Sequence, residues 1–296
     1  MSEANPESAA SDRPWAAFLF RDYRLLWTVL ITSSIVVWMR ILGTAQWLLD
    51  ETGSAALVGA IGIVQLVVQL PALLWGGTLA DRVDRKHLMA LAHATTATVL
   101  LVLGYLNLEG QLTAAMVYVG IAITAASQMF ASPARSALVP VVIPKRLLML
   151  AASTDTASQN AAAVAGPLLF AAITVAFGLS VTFLVAGITS ALSALLPLLM
   201  RVRGRAEPED GGEAAPPSQV EQTLAGVRYV TRHPILPGLF LLDTGITVAS
   251  FYREILPVLA LGLFAGGASA TGLLGAANSA GAIVGSFLAL GLAWYK

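Results

Sequence analysis

The sequence predicts an all-α protein that spans a membrane. Of its 296 residues, 57% are hydrophobic and 11% are charged, whereas an ordinary soluble domain carries about 25% charged residues. The apolar residues also fall into blocks of about twenty, the length that a helix needs to cross a hydrocarbon core ~30 Å thick. Because so little polar surface remains to cover a globule in water, lipid is the expected surrounding of the protein.

Eight apolar segments follow one another along the chain. Proline and glycine interrupt several of them, but membrane helices tolerate such residues where neighbouring helices satisfy the freed backbone groups. Pro257 is expected to bend segment 7. The segments, numbered 1 to 8 in chain order, run over 25–48, 55–79, 88–107, 113–131, 149–175, 180–200, 235–261 and 270–293.

The basic residues predict how the chain is oriented. With the N-terminus inside, 15 of the 17 Lys and Arg residues fall on the inner side, and such residues near helix ends are retained in the cytoplasm. The outer connections carry Asp50, Glu51 and Glu109 and no basic residue. The two remaining basic residues, Arg40 and Arg253, lie within segments 1 and 7. We therefore expect a multi-pass protein of the cell membrane with a cytoplasmic N-terminus.

One long inner connection, 201–234, divides the chain. Its Pro, Gly and Glu content is typical of a flexible linker, and the spacing of apolar residues over 220–230 predicts an amphipathic helix on the membrane surface. The predicted organisation is a cytoplasmic tail over 1–24, a six-helix bundle over 25–200, the linker over 201–234 and a partial second bundle over 235–296.

A repeat across this linker supports that division. Sliding the chain by 213 residues aligns segments 1 and 2 with segments 7 and 8 without a gap, so that Arg40 falls on Arg253 and Gly59 on Gly272. Duplicated bundles are typical of transporters. Because the copy stops after two helices, the chain is expected to be incomplete as a transporter, unless a second chain supplies the missing walls.

The connection between segments 2 and 3 reads Gly76-Gly77-Thr78-Leu79-Ala80-Asp81-Arg82-Val83-Asp84-Arg85-Lys86. It resembles the signature loop of the major facilitator superfamily. Glycines let helices approach closely, and charges at the membrane boundary suit a gate whose ion pairs form and break. The resemblance implies that Asp81 and Arg82 stabilise the outward-facing state by bridging to the second bundle. The candidate gating residues are Gly76, Gly77, Asp81, Arg82, Asp84, Arg85 and Lys86.

A second stretch, Phe130 to Pro144, resembles the loop between helices 4 and 5 in the drug:proton antiporter branch that contains macrolide and enterobactin-type exporters. Its candidate residues are Pro133, Arg135, Pro140 and Pro144, and a weaker match on segment 5 keeps Gly166 and Pro167. The resemblance implies the major facilitator fold, with a complete first six-helix bundle and the first two helices of the second. Since Arg135 is expected beyond the end of segment 4, proton antiport follows from the resemblance alone.

Polar residues inside the segments are candidates for a substrate or coupling cavity, because a charge at the centre of a membrane helix costs about 2.5–3.5 kcal/mol on insertion scales. Helical spacing places Asp243 and Glu254 on one face of segment 7, and in the superfamily segments 1 and 7 line the cavity. Arg40 is expected to pair with Glu254 when the outer side is closed, and Arg253 to find a structural partner or to snorkel outward. The candidates are Ser33, Arg40, Thr44, Asp155, Gln159, Asp243, Thr247, Ser250 and Glu254.

Asp155 admits two interpretations. It lies one helical turn from Gln159 near the expected inner mouth of the cavity, where it could be a proton or cation site or a solvated carboxylate at the interface.

Several classes of function lack the necessary residues. Cysteine is absent and there are three scattered histidines, so neither disulfides nor a metal site is expected. A net charge of zero gives no basic surplus for nucleic acid. No phosphate-binding loop, dinucleotide fingerprint or nucleophile with a base is present, so we expect no nucleotide, no cofactor and no enzymatic activity.

The leading hypothesis is secondary active efflux of a hydrophobic or amphiphilic small molecule, such as a drug, macrolide or siderophore, by alternating access. The expected partners are the lipid bilayer, the substrate and protons as the candidate coupling ion. The alternatives are a truncated membrane fragment without transport activity and a facilitator-type importer of a polar solute.

Overall fold

A computed structural model describes residues 15–82, 84–202, 228–249 and 252–293, with side chains described except at 70–82, 243–249 and 286–293. These residues are helical almost throughout, and no strand occurs among them. The helices that carry the architecture are α1 (Arg21–Thr52), α2 (Ala55–Arg82), α3 (Arg85–Leu108), α4 (Ala114–Val142), α5 (Leu148–Leu195), α6 (Leu236–Ala249), α7 (Leu256–Phe264) and α8 (Ala268–Ala293).

Most of these helices have the length and composition of membrane spans. In the part of the chain that is described, α1, α3, α4 and the stretch Lys145–Leu199 around α5 are each long and apolar enough to cross a membrane. The helices α7 and α8, bent by 114° at their junction, form one further candidate. The predicted all-α membrane fold is therefore confirmed.

The ends of the helices are set by local chemistry. Helix α1 ends at Gly53, which adopts the left-handed conformation (φ 62°) and donates its N–H to the carbonyl of Leu49 at 2.8 Å. The carboxylate of Asp84 accepts the backbone N–H of Lys86 at 2.9 Å and so caps the start of α3. Because glycine tolerates positive φ and aspartate satisfies free N–H groups, both turns can be very short.

Segments 5 and 6 are two helices that meet at Gly178, whose backbone is not helical (φ 87°, ψ 170°), and α5 denotes the two together. The hydroxyl oxygens of Thr174 and Thr182 are 2.8 Å apart across this turn, whereas residues eight positions apart in a straight helix are separated by about 12 Å. The two arms of α5 therefore fold back on each other. Only glycine reaches this backbone conformation without strain.

Helix α4 extends well beyond the predicted segment 113–131. It continues to Val142 with Pro133 and Pro140 inside it, so most of the stretch expected to be a loop is helical. Proline removes a hydrogen bond from the helix, but packed neighbours in a membrane protein compensate for that loss. The prediction that Arg135 lies beyond the helix end was wrong, because Arg135 is inside α4.

Segment 7 was predicted as one helix over 235–261, and this was also wrong. The structure has α6 and α7 with a turn over 253–255 between them, and Pro257 stands in the first turn of α7. Proline fits the first turn of a helix, where its missing N–H costs no hydrogen bond. The helical register therefore does not run from Asp243 to Glu254, and the shared face predicted from their spacing is not supported.

The helices pack in two apolar clusters at opposite ends of α1. Leu42, Leu48 and Phe170 belong to the cluster near Thr52, and Tyr23 and Leu26 to the cluster near Arg21. We call these two ends of the molecule the Thr52 side and the Arg21 side. The cavity described next lies between helices that both clusters hold together.

Candidate functional site

A cavity of about 570 Å³ lies among α1, α3, α4, α5 and the turn before α7. On α1 it extends from Val29 to Trp38, so it begins in the half nearer the Arg21 side and reaches just past the middle of that helix. The structure places two of the predicted cavity residues, Ser33 and Gln159, in its wall. Small-molecule sites of this volume are common in proteins, and the mixed polar and apolar wall suits an amphiphilic ligand.

A buried ion pair borders this cavity. Arg135, which lines the cavity, forms an ion pair with Asp155 through Nη2 and Oδ2, and the two side chains are 14% and 11% exposed. The other carboxylate oxygen of Asp155 accepts a hydrogen bond from the hydroxyl of Tyr23 at 3.2 Å. One carboxylate therefore connects α1, α4 and α5. Because both charges are largely removed from water, loss of either partner would leave an uncompensated buried charge.

Sequence reasoning did not find this pair. It assigned Asp155 to the cavity and Arg135 to a loop motif, and it did not bring the two together. Their spacing could have predicted the pair. The two residues are 20 positions apart on either side of one tight inner connection, which places the end of one helix beside the start of the next.

A second arginine lies at the cavity on a tryptophan. The guanidinium carbon of Arg253 is 4.6 Å from the centre of the Trp38 ring, and both residues line the cavity. This is cation–π geometry. Of the two roles expected for Arg253, the structure supports a structural partner, since Trp38 lies directly beneath it. Trp38 was not among the predicted site residues.

Trp38 is itself held firmly. A Cβ added to Gly166 would lie 2.7 Å from the Cβ of Trp38. The close approach of α5 to α1 at this point therefore requires glycine at position 166. Trp38 as a whole residue is 5% exposed. Gly166 therefore has a packing role, and the platform under Arg253 is rigid.

Arg40 and Glu254 are both buried, at 6% exposure each. Glu254 is near enough to act on Arg40 electrostatically, yet the ion pairs among the described residues do not include one between them. The Nε and Nη1 atoms of Arg40 have no hydrogen-bond partner, and Glu254 accepts a hydrogen bond from Gln65 at 3.4 Å. The expected pairing of Arg40 with Glu254 stays a prediction.

Contacts between the two halves of the chain are found toward the Thr52 side. The hydroxyl of Thr271 in α8 donates to Oε1 of Gln46 in α1 at 2.9 Å. A Cβ added to Gly272 would lie 2.5 Å from the carbonyl oxygen of Pro167, so α8 and α5 are in backbone contact at the predicted Gly166-Pro167 motif. The Thr52 side is therefore joined across the halves, whereas the cavity lies toward the Arg21 side.

The remaining predicted residues with described side chains have local contacts. Thr44 is buried and donates to the carbonyl of Arg40 at 2.8 Å, so the structure does not place it in the cavity wall. Asp84 caps α3, and Lys86 donates to the carbonyl of Met200 at 3.3 Å. Pro144 precedes the short 3-10 helix Lys145–Leu147.

Other predicted residues fall outside the described side chains. Gly76, Gly77, Asp81 and Arg82 belong to α2 by their backbone alone, and Asp243 and Thr247 likewise belong to α6. Ser250 and most of the predicted amphipathic helix over 220–230 lie outside the described residues. Arg85 is the first residue of α3.

In the described part of the chain, no three His, Cys, Asp or Glu side chains lie together in a way that could hold a metal ion.

Comparison with known proteins assigns the family. The profile of the major facilitator superfamily matches residues 26–295. The chain is also 26% identical over 279 residues to the enterobactin exporter EntS of Salmonella choleraesuis (strain SC-B67). That alignment covers 92% of this chain and 62% of the exporter, so the chain spans less than two thirds of its relative's length. Because the profile covers most of the chain and the described helices are apolar enough to span a membrane, the chain belongs to the major facilitator superfamily, a family of membrane transporters.

Proposed function

We propose that the protein exports amphiphilic small molecules from the cell by proton-coupled alternating access. The observation that carries this proposal is the 570 Å³ cavity bordered by the buried Arg135–Asp155 pair. A substrate site beside a titratable ion pair has the two parts that secondary transport requires. The similarity to an enterobactin exporter supports efflux and extends the candidate substrates to siderophores.

We assign the Arg21 side to the cytoplasm, since the basic residues concentrate on the connections there. The cavity then lies toward the cytoplasm, and the Gln46–Thr271 and Gly272–Pro167 contacts hold the two halves of the chain together nearer the outer side. This is the arrangement of an exporter ready to take up substrate from inside. In the alternate state the outer contacts separate and the inner ends of the helices close.

Asp155 is the proposed proton site. While it is ionised, its two oxygens hold Arg135 of α4 and Tyr23 of α1. Protonation removes the charge that holds the guanidinium and so weakens the link between α1, α4 and α5. Substrate efflux is coupled to proton entry when two conditions hold. The substrate-bound protein reorients toward the outside with Asp155 ionised, and the substrate-free protein reorients toward the inside with Asp155 protonated.

The loop at the end of α2 completes the proposal. Asp81 and Arg82 act as the latch of the outward-facing state, and their neutralisation impairs switching while leaving membrane insertion intact. This part rests on the resemblance of the loop to the family signature.

Everted membrane vesicles provide the test. Uptake of enterobactin into vesicles containing the protein is measured with an imposed pH gradient, acid inside. We expect accumulation that a protonophore abolishes. In the Asp155→Asn variant, gradient-driven accumulation should fall to the protonophore level, because the neutral amide neither binds nor releases a proton.

Glu109→Gln is the matched control, since it removes an exposed carboxylate outside the cavity. Substrate movement that runs only downhill and ignores the pH gradient would favour a facilitator instead. Absence of any flux, with the protein present in the membrane, would contradict transport by this chain.

A further inference from the structure

The cavity wall is positively charged. Arg135 and Arg253 line it, and none of the described lining residues is Asp or Glu. The charge of Arg135 is compensated by Asp155. Neither ion pair found among the described residues involves Arg253, whose guanidinium lies over the Trp38 ring. A concave site of low dielectric constant with one sign of charge concentrates ligands of the opposite sign.

The position of the Arg253 guanidinium over the Trp38 ring determines which of its groups can reach a ligand. A guanidinium that lies over an aromatic face keeps its N–H donors in the guanidinium plane, at the edges of the stack. Two such donors match the two oxygens of one carboxylate or similar oxygen anion. Because Trp38 is buried and its Cβ is pressed against the backbone at Gly166, the platform does not move away when a ligand arrives.

The rest of the wall defines the body of the ligand. It combines apolar side chains such as Val29, Leu30 and Val37 with uncharged polar ones such as Ser33, Gln128 and Gln159. A cavity of about 570 Å³ is large enough for an aromatic amphiphile. The wall therefore accepts an apolar body with a few hydrogen-bonding groups, and the charge requirement is concentrated at Arg253.

We infer that the cavity selects amphiphilic organic anions, and that Arg253 on the Trp38 platform binds the anionic oxygens. The inference rests on the proposed function, because it assigns the substrate class to the same cavity. A cationic amphiphile would find no carboxylate in the described wall, since both oxygens of Asp155 are engaged by Arg135 and Tyr23. A neutral amphiphile would remove the Arg253 guanidinium from water without supplying a compensating negative charge, and this would weaken its binding.

Binding to the purified protein in detergent tests the inference. Titration calorimetry compares 1-naphthylacetate with its uncharged isostere 1-naphthylacetamide and with 1-naphthylmethylammonium. We expect the anion to bind roughly tenfold or more tightly than the amide, as is typical of a charge-assisted pair of hydrogen bonds. Arg253→Gln should abolish this preference. Arg253→Lys should keep part of it, because lysine preserves the charge and loses the planar fork.

Arg146→Gln is the matched control, since it removes an exposed arginine outside the cavity wall, and it should leave the preference intact. Equal or tighter binding of the amide or the ammonium ion overturns the inference, as does failure of the wild-type protein to bind any of the three compounds. Loss of the preference in Arg146→Gln also overturns it.

The two proposals fail separately. Anion-selective binding without gradient-driven flux in vesicles supports the inference and contradicts the proposed function. Gradient-driven flux without anion preference supports the function and overturns the inference.

Discussion

Gly166 is a residue at which the packing of α1 against α5 leaves no room for a side chain. A Cβ there would lie 2.7 Å from Cβ of Trp38 and 3.0 Å from two atoms of its ring. The near partner belongs to the base of a buried side chain, so it cannot rotate away. Two helices must therefore separate to accept even a methyl group.

We predict that Gly166→Ala destabilises the protein by about 1–3 kcal/mol, the usual cost of overpacking, and lowers its thermal midpoint in detergent. Gly59→Ala is the control, because nothing lies within 4 Å of a Cβ at Gly59 in α2 and alanine favours a helix more than glycine does. An unchanged midpoint for Gly166→Ala, measured by tryptophan fluorescence, would contradict the close contact.

Arg40 is a second informative residue, because a buried guanidinium with unbonded Nε and Nη1 atoms is costly. We predict that it forms an ion pair with Glu254 in an outside-closed state of the transport cycle, although the two side chains are not paired in this structure. Arg40→Glu and Glu254→Arg should each reduce efflux. The double variant should lose less efflux than the two single losses added together, with a coupling energy of about 0.5–3 kcal/mol. Additive losses in this double-mutant cycle would refute the pairing.

At the scale of elements, the contact of α5 with α8 joins the two halves of the chain. It depends on Gly272, where a Cβ would clash with Ala171 and with the carbonyl oxygen of Pro167. The contacting atoms are the Cβ of Ala171 and a backbone oxygen, and neither can rotate away. Any side chain at Gly272 must therefore push α8 away from α5 and weaken closure of the Thr52 side.

We predict that Gly272→Ala shifts the protein away from the closed outer state. The reporter is a cysteine introduced by Gln46→Cys, at a position that is buried and contacts Thr271 of α8. Maleimide should label this cysteine faster when Gly272→Ala is also present. In Gly281→Ala, on the same helix, nothing lies within 4 Å of the added Cβ, and labelling should stay slow. Equal rates in both variants would show that the α5–α8 contact does not control access.

At the scale of the whole molecule, alternating access requires that the Gln46–Thr271 contact opens. The chain contains no cysteine, so engineered cysteines report without background. We predict that a short bifunctional thiol reagent joins Gln46→Cys to Thr271→Cys and stops transport, and that a reductant-cleavable reagent allows recovery.

The control pair is Gln46→Cys with Gly281→Cys, ten residues or about 15 Å further along α8, which the same short reagent should not join. Full transport in the cross-linked protein would mean that the outer ends of α1 and α8 do not separate during the cycle.

The sequence by itself determined which parts of the chain are buried in lipid. A backbone in hydrocarbon must satisfy its own hydrogen bonds, so an apolar block of about twenty residues has few alternatives to a helix. This is why segments 1 and 3 correspond closely to α1 and α3, and why the signature connection after segment 2 was enough to predict the family that the profile match confirms.

The tertiary structure decided how the helices continue and which polar groups meet. Proline patterns do not reveal whether neighbours compensate a lost hydrogen bond, so α4 was predicted too short and segment 7 too continuous. Arg135 and Asp155, or Arg253 and Trp38, are distant in sequence, and helical periodicity describes only the faces of one helix. Contacts between helices depend on close approaches such as Gly166 against Trp38, which packing alone determines.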